Sequence, residues 1–87
     1  QQYIAIEGHT DNEPPPGTAW LNNHQISTAR AAATFDYLVQ KTRLRPNQLF
    51  IVGHGPNHPV VSNATSAGRA RNRRIELVIY PERVGTN

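Results

Sequence analysis

A carboxylate and a guanidinium stand at the ends of two predicted elements, where open sheets commonly form binding crevices. Asp11 follows the apolar alternation of Tyr3–Ile6 and therefore lies just past the end of a strand. Arg30 lies in the first turn of a helix that is predicted to begin at Ser27. Two opposite charges held in this way suit a zwitterionic ligand better than a reaction. The pair predicts a site for an amino-acid head group, with Arg30 on its carboxylate and Asp11 on its ammonium.

Each of these two residues also has an ordinary structural explanation. Asp11 could fold back onto loop amides as an Asx turn, and Arg30 could be a solvated helix residue. The second explanation is weakened by position, because the positive end of a helix disfavours a cation. A cation there makes most sense if an anion is shared between Arg30 and the amides near Ser27.

Three histidines form a second group that could do chemistry. His9, His54 and His58 could converge at one end of the sheet and, with Asp11, hold a metal ion. Nothing in the chain resembles a dense ligand spacing such as His-Glu-x-x-His. We therefore predict no metal site and no cofactor, and a small metal-dependent hydrolase is only a third hypothesis. No nucleophile–base pair or two-carboxylate arrangement at plausible spacing predicts an enzyme.

A basic run raises the alternative of nucleic-acid binding, because Arg69–Arg74 contains four arginines. Helical spacing spreads these arginines around a short helix, and no aromatic platform of the kind used by single-strand binders accompanies them. We favour a solvated helix in which Arg73 or Arg74 supports the loops of the site. The favoured function therefore involves no nucleic acid, and binding through the cluster is the alternative.

Hydrophobic periodicity predicts three strands and two helices. The strands cover residues 3–7, 49–52 and 75–80, and the helices cover 27–42 and 66–72. Ser27 is the expected N-cap of the long helix, whose core stripe contains Ala31, Phe35 and Leu38. The uninterrupted apolar run of the second strand predicts a strand covered on both faces. A parallel crossover through the long helix is the natural connection between the first two strands.

The connection between the first strand and the long helix is long and rich in proline. Prolines 14–16 stiffen it, Gly17 permits a turn, and Trp20 and Leu21 provide an apolar anchor. A loop of this length is more often functional than idle.

Length and composition set further limits. With 87 residues and 9.7 kDa, the chain is expected to form one domain, residues 1–87. No apolar run approaches the roughly 20 residues of a membrane span, and no signal peptide is recognisable. Without cysteine, no disulfide or thiolate metal site can form. The net charge of +3 favours anionic partners.

Three short runs, in their order along the chain, resemble the OmpA-like peptidoglycan-binding domain. They are Gly8–Asp11, Ile26–Ala31 and Asn72–Glu76. Ile26 stands where the family usually has Leu, and Gly53–Gly55 stands where Gly-Tyr-Gly is common, so that His54 is a departure. The proline-rich insertion resembles that of the flagellar stator (MotB-like) and type VI secretion branches.

The resemblance implies a non-catalytic module that binds the diaminopimelate head group of peptidoglycan through Asp11 and Arg30. It further implies that Thr10 contributes through its backbone and that Asn23 matches a family asparagine. The remaining expected ligand-binding residues are Ser27 and Arg73.

The resemblance also implies an α/β fold of the α+β sandwich type, a small mixed sheet with helices packed on one face. The family's first strand and helix are expected to be absent from this chain. A periplasmic location in the cell envelope follows, with a membrane reached only through segments outside the chain. Self-association into a homodimer is compatible with this view, and the partner is peptidoglycan.

Overall fold

A mixed sheet of three strands, in the order β2-β1-β3, organises the molecule. The structure is a computed structural model that describes residues 2–15, 17 and 22–80. The elements are β1 (Tyr3–His9), α1 (Asn23–Lys41), a 3-10 turn (Pro46–Gln48), β2 (Leu49–Gly53), α2 (Ser66–Asn72) and β3 (Arg74–Tyr80). Trp20 and Leu21, predicted to anchor the proline-rich loop, lie outside the described residues.

The first strand in sequence is the central strand in space. β1 pairs in parallel with β2, with Ile4 opposite Leu49, and antiparallel with β3, with Tyr3 opposite Tyr80. The parallel pair is connected through α1, as the crossover prediction required. The expected small mixed sheet with two helices is therefore confirmed.

Helix α1 lies very close to one face of β1 and β2 because glycines occupy the contact points. A Cβ atom on Gly8 would overlap the Ser27 carbonyl, and one on Gly53 would overlap Thr28. Residues that alternate with these glycines, such as Glu7, His9 and His54, therefore project from the opposite face of the sheet.

The core lies between α1 and the two parallel strands. Its buried residues are Ile4, Ile6, Ala31 and Leu49. Phe35 and Leu38 pack against them, which confirms the predicted core stripe of the long helix. No helix in residues 22–80 is long and apolar enough to cross a membrane.

Two expectations about the elements are wrong. The long helix begins four residues before Ser27, with Asn22 as its N-cap in a capping box with Gln25. The second strand is not covered on both faces, because Phe50 and Ile51 are 49% and 40% exposed. β2 is an outer strand of the described sheet, and an apolar run alone does not distinguish such a strand from a central one.

Candidate ligand-binding site

A cleft of about 460 Å³ opens where β1 ends and α1 begins. It lies beside the end of α2, whose C-cap residue Arg73 reaches it. Five of the six predicted ligand-binding residues line this cleft. The lining consists of Thr10, Asp11, Glu13, Pro14, Pro15, Asn23, Ile26, Arg30 and Arg73.

Asp11 is a buried carboxylate that is already oriented by the protein. One of its oxygens, Oδ1, accepts a hydrogen bond of 2.9 Å from the Glu13 amide. The other, Oδ2, accepts one of 2.6 Å from the Arg73 guanidinium. Burial raises the pKa of Asp11, but the hydrogen bonds from Glu13 and Arg73 outweigh burial and hold this pKa below its usual value. Asp11 is therefore ionised at neutral pH.

Arg30 reaches the same cleft from one face of α1. Asn23, Ile26 and Arg30 follow one another at three- and four-residue spacing, so their side chains share a face of the helix. The Arg30 side chain is exposed, and within residues 2–15, 17 and 22–80 its guanidinium forms no ion pair. Within the described part of the chain, it is therefore a cation available to an anion that enters the cleft.

Asn23 and Thr10 hold the loop that carries Asp11. The side-chain amide of Asn23 donates to the backbone carbonyl of Glu13 at 3.0 Å and to that of Asp11 at 3.4 Å. The Thr10 hydroxyl also donates to the Asp11 carbonyl, at 2.8 Å. The Thr10 amide is already bonded to the Gly55 carbonyl, so the expected backbone contribution of Thr10 to ligand binding would have to come from its carbonyl.

Arg73 is placed by the residue before it. Asn72 is fully buried, and its side chain accepts from the amides of Val60 and Val61. The NH₂ group of the same side chain donates to the Val61 carbonyl and to the side-chain oxygen of Asn63. This fixed end of α2 directs the Arg73 guanidinium towards Asp11, so the expected support from Arg73 takes the form of an ion pair.

Ser27 does not belong to the cleft, contrary to expectation. It is fully buried, donates to the His24 carbonyl and accepts from the Gly55 amide at 3.0 Å. Because α1 begins at Asn23, the amide of Ser27 lies inside the helix and Arg30 lies in its third turn. The expected sharing of an anion between Arg30 and first-turn amides near Ser27 is therefore wrong.

The basic cluster is largely paired within the molecule. Arg69 lies 3.5 Å from a Glu13 carboxylate oxygen and donates to the Asn63 carbonyl. Arg73 pairs with Asp11, and Arg74 pairs with Glu76. The arginines therefore connect loops and strands instead of forming one charged surface.

The three histidines converge as the sequence suggested. Asp11 does not join them, because it is paired with Arg73 in the cleft. His9 stacks on His54 with ring centroids 4.6 Å apart, and His58 meets His54 edge-on at 4.9 Å. Two carboxylates lie beside them, with Glu7 2.9 Å from the Nε2 atom of His54 and Glu76 3.9 Å from that of His9. These side chains lie on the sheet face opposite α1.

Sequence reasoning missed Glu13 and Ile26 as residues of the cleft. Glu13 contacts Asp11 through its amide and Asn23 through its carbonyl, roles that do not depend on its side chain. Ile26 could have been found from its spacing, since it lies between Asn23 and Arg30 on one helix face.

Similarity to a known protein family extends over most of the chain. A model of the OmpA family matches residues 1–73. The chain belongs to the OmpA family. The sequence resemblance is thereby confirmed, and the cleft lies within the matched residues.

Individual OmpA-family relatives match most of this chain. Motility protein B of Bacillus subtilis is 37% identical over 78 residues, which are 90% of this chain and 30% of that protein. Peptidoglycan-binding protein ArfA of Mycobacterium tuberculosis is 40% identical over 76 residues, which are 87% of this chain and 22% of that protein. The chain thus spans less than a third of the length of these relatives.

Solved structures share the fold. The C-terminal domain of Helicobacter pylori MotB superposes with a TM-score of 0.86 at 25% identity, covering 95% of this chain and 62% of that one. A MotB-like protein from Desulfovibrio vulgaris gives a TM-score of 0.81 at 32% identity, covering 93% of this chain and 52% of that one.

Proposed function

We propose that this OmpA-family chain binds peptidoglycan without catalysing a reaction, through the diaminopimelate head group of the stem peptide. The observation that carries the proposal is that Asp11 and Arg30 line one cleft from separate elements. A relative named for peptidoglycan binding, ArfA of Mycobacterium tuberculosis, supports the choice of peptidoglycan as the partner.

The charges of the cleft match a zwitterion. Two carboxylates, Asp11 and Glu13, and two guanidiniums, Arg30 and Arg73, line it. The head group of diaminopimelate carries an ammonium and a carboxylate on one carbon. Arg30 binds the carboxylate through paired N–H donors, and Asp11 accepts from the ammonium. Arg73 keeps Asp11 ionised and oriented while the ligand binds.

Removal of Arg30 tests the carboxylate contact. We expect Arg30→Ala to lose about ten- to hundredfold in affinity for insoluble peptidoglycan, since a hydrogen bond to a charged group contributes about 1.5–3 kcal/mol. Sedimentation of the protein with purified peptidoglycan measures this loss. The matched control is Arg43→Ala, an exposed arginine beyond the C-terminal end of α1, which itself lies about 16 Å along the helix from Arg30. Equal sedimentation of the two variants would contradict the assignment.

Neutralisation of Asp11 tests the ammonium contact. Asp11→Asn keeps the shape of the side chain and an acceptor for the Glu13 amide. We expect a loss of affinity similar to that of Arg30→Ala, whereas Asp36→Asn on the exposed side of α1 binds like the wild type. Circular dichroism checks that both variants are folded. Wild-type affinity in folded Asp11→Asn would refute the role of the carboxylate.

Stem peptides of different composition distinguish the carboxylate contact of Arg30 from the ammonium contact of Asp11. A lysine-type stem peptide offers the ammonium but lacks the carboxylate that Arg30 binds. We expect weaker binding to lysine-type fragments than to diaminopimelate fragments, and we expect Arg30→Ala to abolish most of this difference. Isothermal titration with soluble fragments of both types measures it. An Arg30→Ala protein that still prefers diaminopimelate would show that another residue recognises the carboxylate.

We further propose that binding anchors a larger envelope protein, such as a motor or secretion component, to the wall in the periplasm. The length of the relatives supports this, because the matched region is under a third of each of them. Attachment to the inner or outer membrane would belong to segments beyond this chain.

A further inference from the structure

The sheet face opposite α1 carries a group of metal-ligating side chains that the cleft does not use. Glu7 and His9 are two residues apart on β1 and therefore share this face. His54 directly follows β2, where its amide donates to the Gly8 carbonyl. One potential ligand atom from each of Glu7, His9 and His54 lies within 4.8 Å of the others. We call these three residues the histidine cluster.

His9 is the residue whose surroundings are incomplete. It is 3% exposed, and both of its ring nitrogens are buried without a hydrogen-bond partner among the residues that the structure describes. Buried polar groups in folded proteins are normally paired, so a buried imidazole with two free nitrogens requires an explanation.

We propose that Glu7, His9 and His54 bind a zinc ion on the sheet face opposite α1. Two imidazoles and one carboxylate are a ligand set that zinc accepts, with a fourth position left for water or another side chain. The ring centroid of His58 lies 4.9 Å from that of His54, so His58 is a further imidazole close to these ligands.

The charges around the cluster favour a cation. Glu7 and Glu76 both carry carboxylates towards it, with Glu7 2.9 Å from His54 and Glu76 3.9 Å from His9. The guanidinium of Arg74, which also lies close to His9, is paired with Glu76. A tetrahedral zinc site with bonds of about 2.0–2.1 Å requires ligand atoms about 3.3 Å apart, whereas the present ligand atoms lie within 4.8 Å of one another. The stacked rings of His9 and His54 therefore tilt towards each other on binding.

Titration of the metal-free, untagged chain with zinc chloride tests the proposal. We expect one zinc ion per chain by isothermal titration calorimetry and, with cobalt, the strong visible absorption of a tetrahedral site. His54→Gln and Glu7→Gln should each lose roughly tenfold or more in zinc affinity, since even residues behind the ligands contribute that much. His24→Gln, which removes an exposed histidine on α1, should bind zinc like the wild type.

A second measurement needs no substitution at a buried position. On addition of zinc, the ring nitrogens of His9 and His54 should shift in ¹⁵N NMR spectra while those of His24 do not. Absence of zinc binding to the wild type, or equal losses in His54→Gln and His24→Gln, would overturn the proposal. Because no peptidoglycan is present, the result is independent of the function proposed for the cleft.

Discussion

Asp11 and Arg30 differ in how firmly the protein holds them. Asp11 is buried and bonded to Glu13 and Arg73, so a ligand meets a carboxylate that is already oriented. Arg30 is exposed beside the cleft and would lose side-chain freedom on binding the proposed carboxylate. For the proposed head group, the ammonium contact would therefore be preorganised, and the carboxylate contact would bear most of the ordering cost.

Asn72 is the residue that keeps this arrangement in place. We expect Asn72→Ala to lower the free energy of unfolding by at least about 1–3 kcal/mol, the cost of leaving one buried polar group unpaired. Four hydrogen bonds depend on its side chain. Urea denaturation measures the loss, and Asn47→Ala, at an exposed position, is the control. If both variants unfold at the same urea concentration, the Asn72 contacts contribute nothing.

At the scale of elements, α1 serves two purposes with two faces. One face carries Asn23, Ile26 and Arg30 to the cleft. The other packs Ala31, Phe35 and Leu38 on the sheet. Substitutions on these faces should therefore separate ligand binding from stability.

Leu38→Ala should lower the free energy of unfolding without changing ligand binding in the cleft. Truncation of a core leucine costs about 2–5 kcal/mol, and we expect the lower end because Leu38 is only partly buried. Thermal unfolding measures the change, with Tyr37→Ala, whose side chain is 61% exposed, as the neighbouring control. An unchanged melting temperature for Leu38→Ala would mean that this face of α1 does not support the core.

The start of α1 shows what sequence reasoning could have found and did not. Asn22 and Gln25 have the spacing of a capping box, which is a readable signal. Ser27 was an equally acceptable cap by residue type, and local sequence alone does not rank two such caps. The difference moves Arg30 from the first turn to the third, although it leaves Arg30 beside the cleft.

For the whole molecule, the net charge of +3 is a poor guide to the partner. We expect nucleic-acid binding to be weak and to fall steeply with salt, because Arg69, Arg73 and Arg74 are paired internally. Fluorescence anisotropy with a labelled oligonucleotide, repeated over a salt series, measures this. Tight binding that persists at physiological ionic strength would favour nucleic acid over the wall.

The strands and the Asp11–Arg30 pair could be predicted because each depends on local pattern or on a short motif. The Asp11–Arg73 ion pair could not, since it joins residues brought together by the antiparallel pairing of β1 with β3, where His9 lies opposite Arg74. The contact between Glu7 and His54 depends in the same way on the parallel register of β1 and β2. Sequence spacing carries no record of such pairings.

The central place of β1 has a mechanical consequence. Tyr3, the first residue of β1, lies at one end of the sheet. Asp11 lies two residues beyond the last residue of β1, at the opposite end of the sheet. A pull between the start of β1 and a ligand held by Asp11 acts along this strand. The hydrogen bonds to β2 and β3 run across that direction, so both ladders resist together in shear and do not open one bond at a time. A wall-bound domain of this design would transmit tension along its most protected strand.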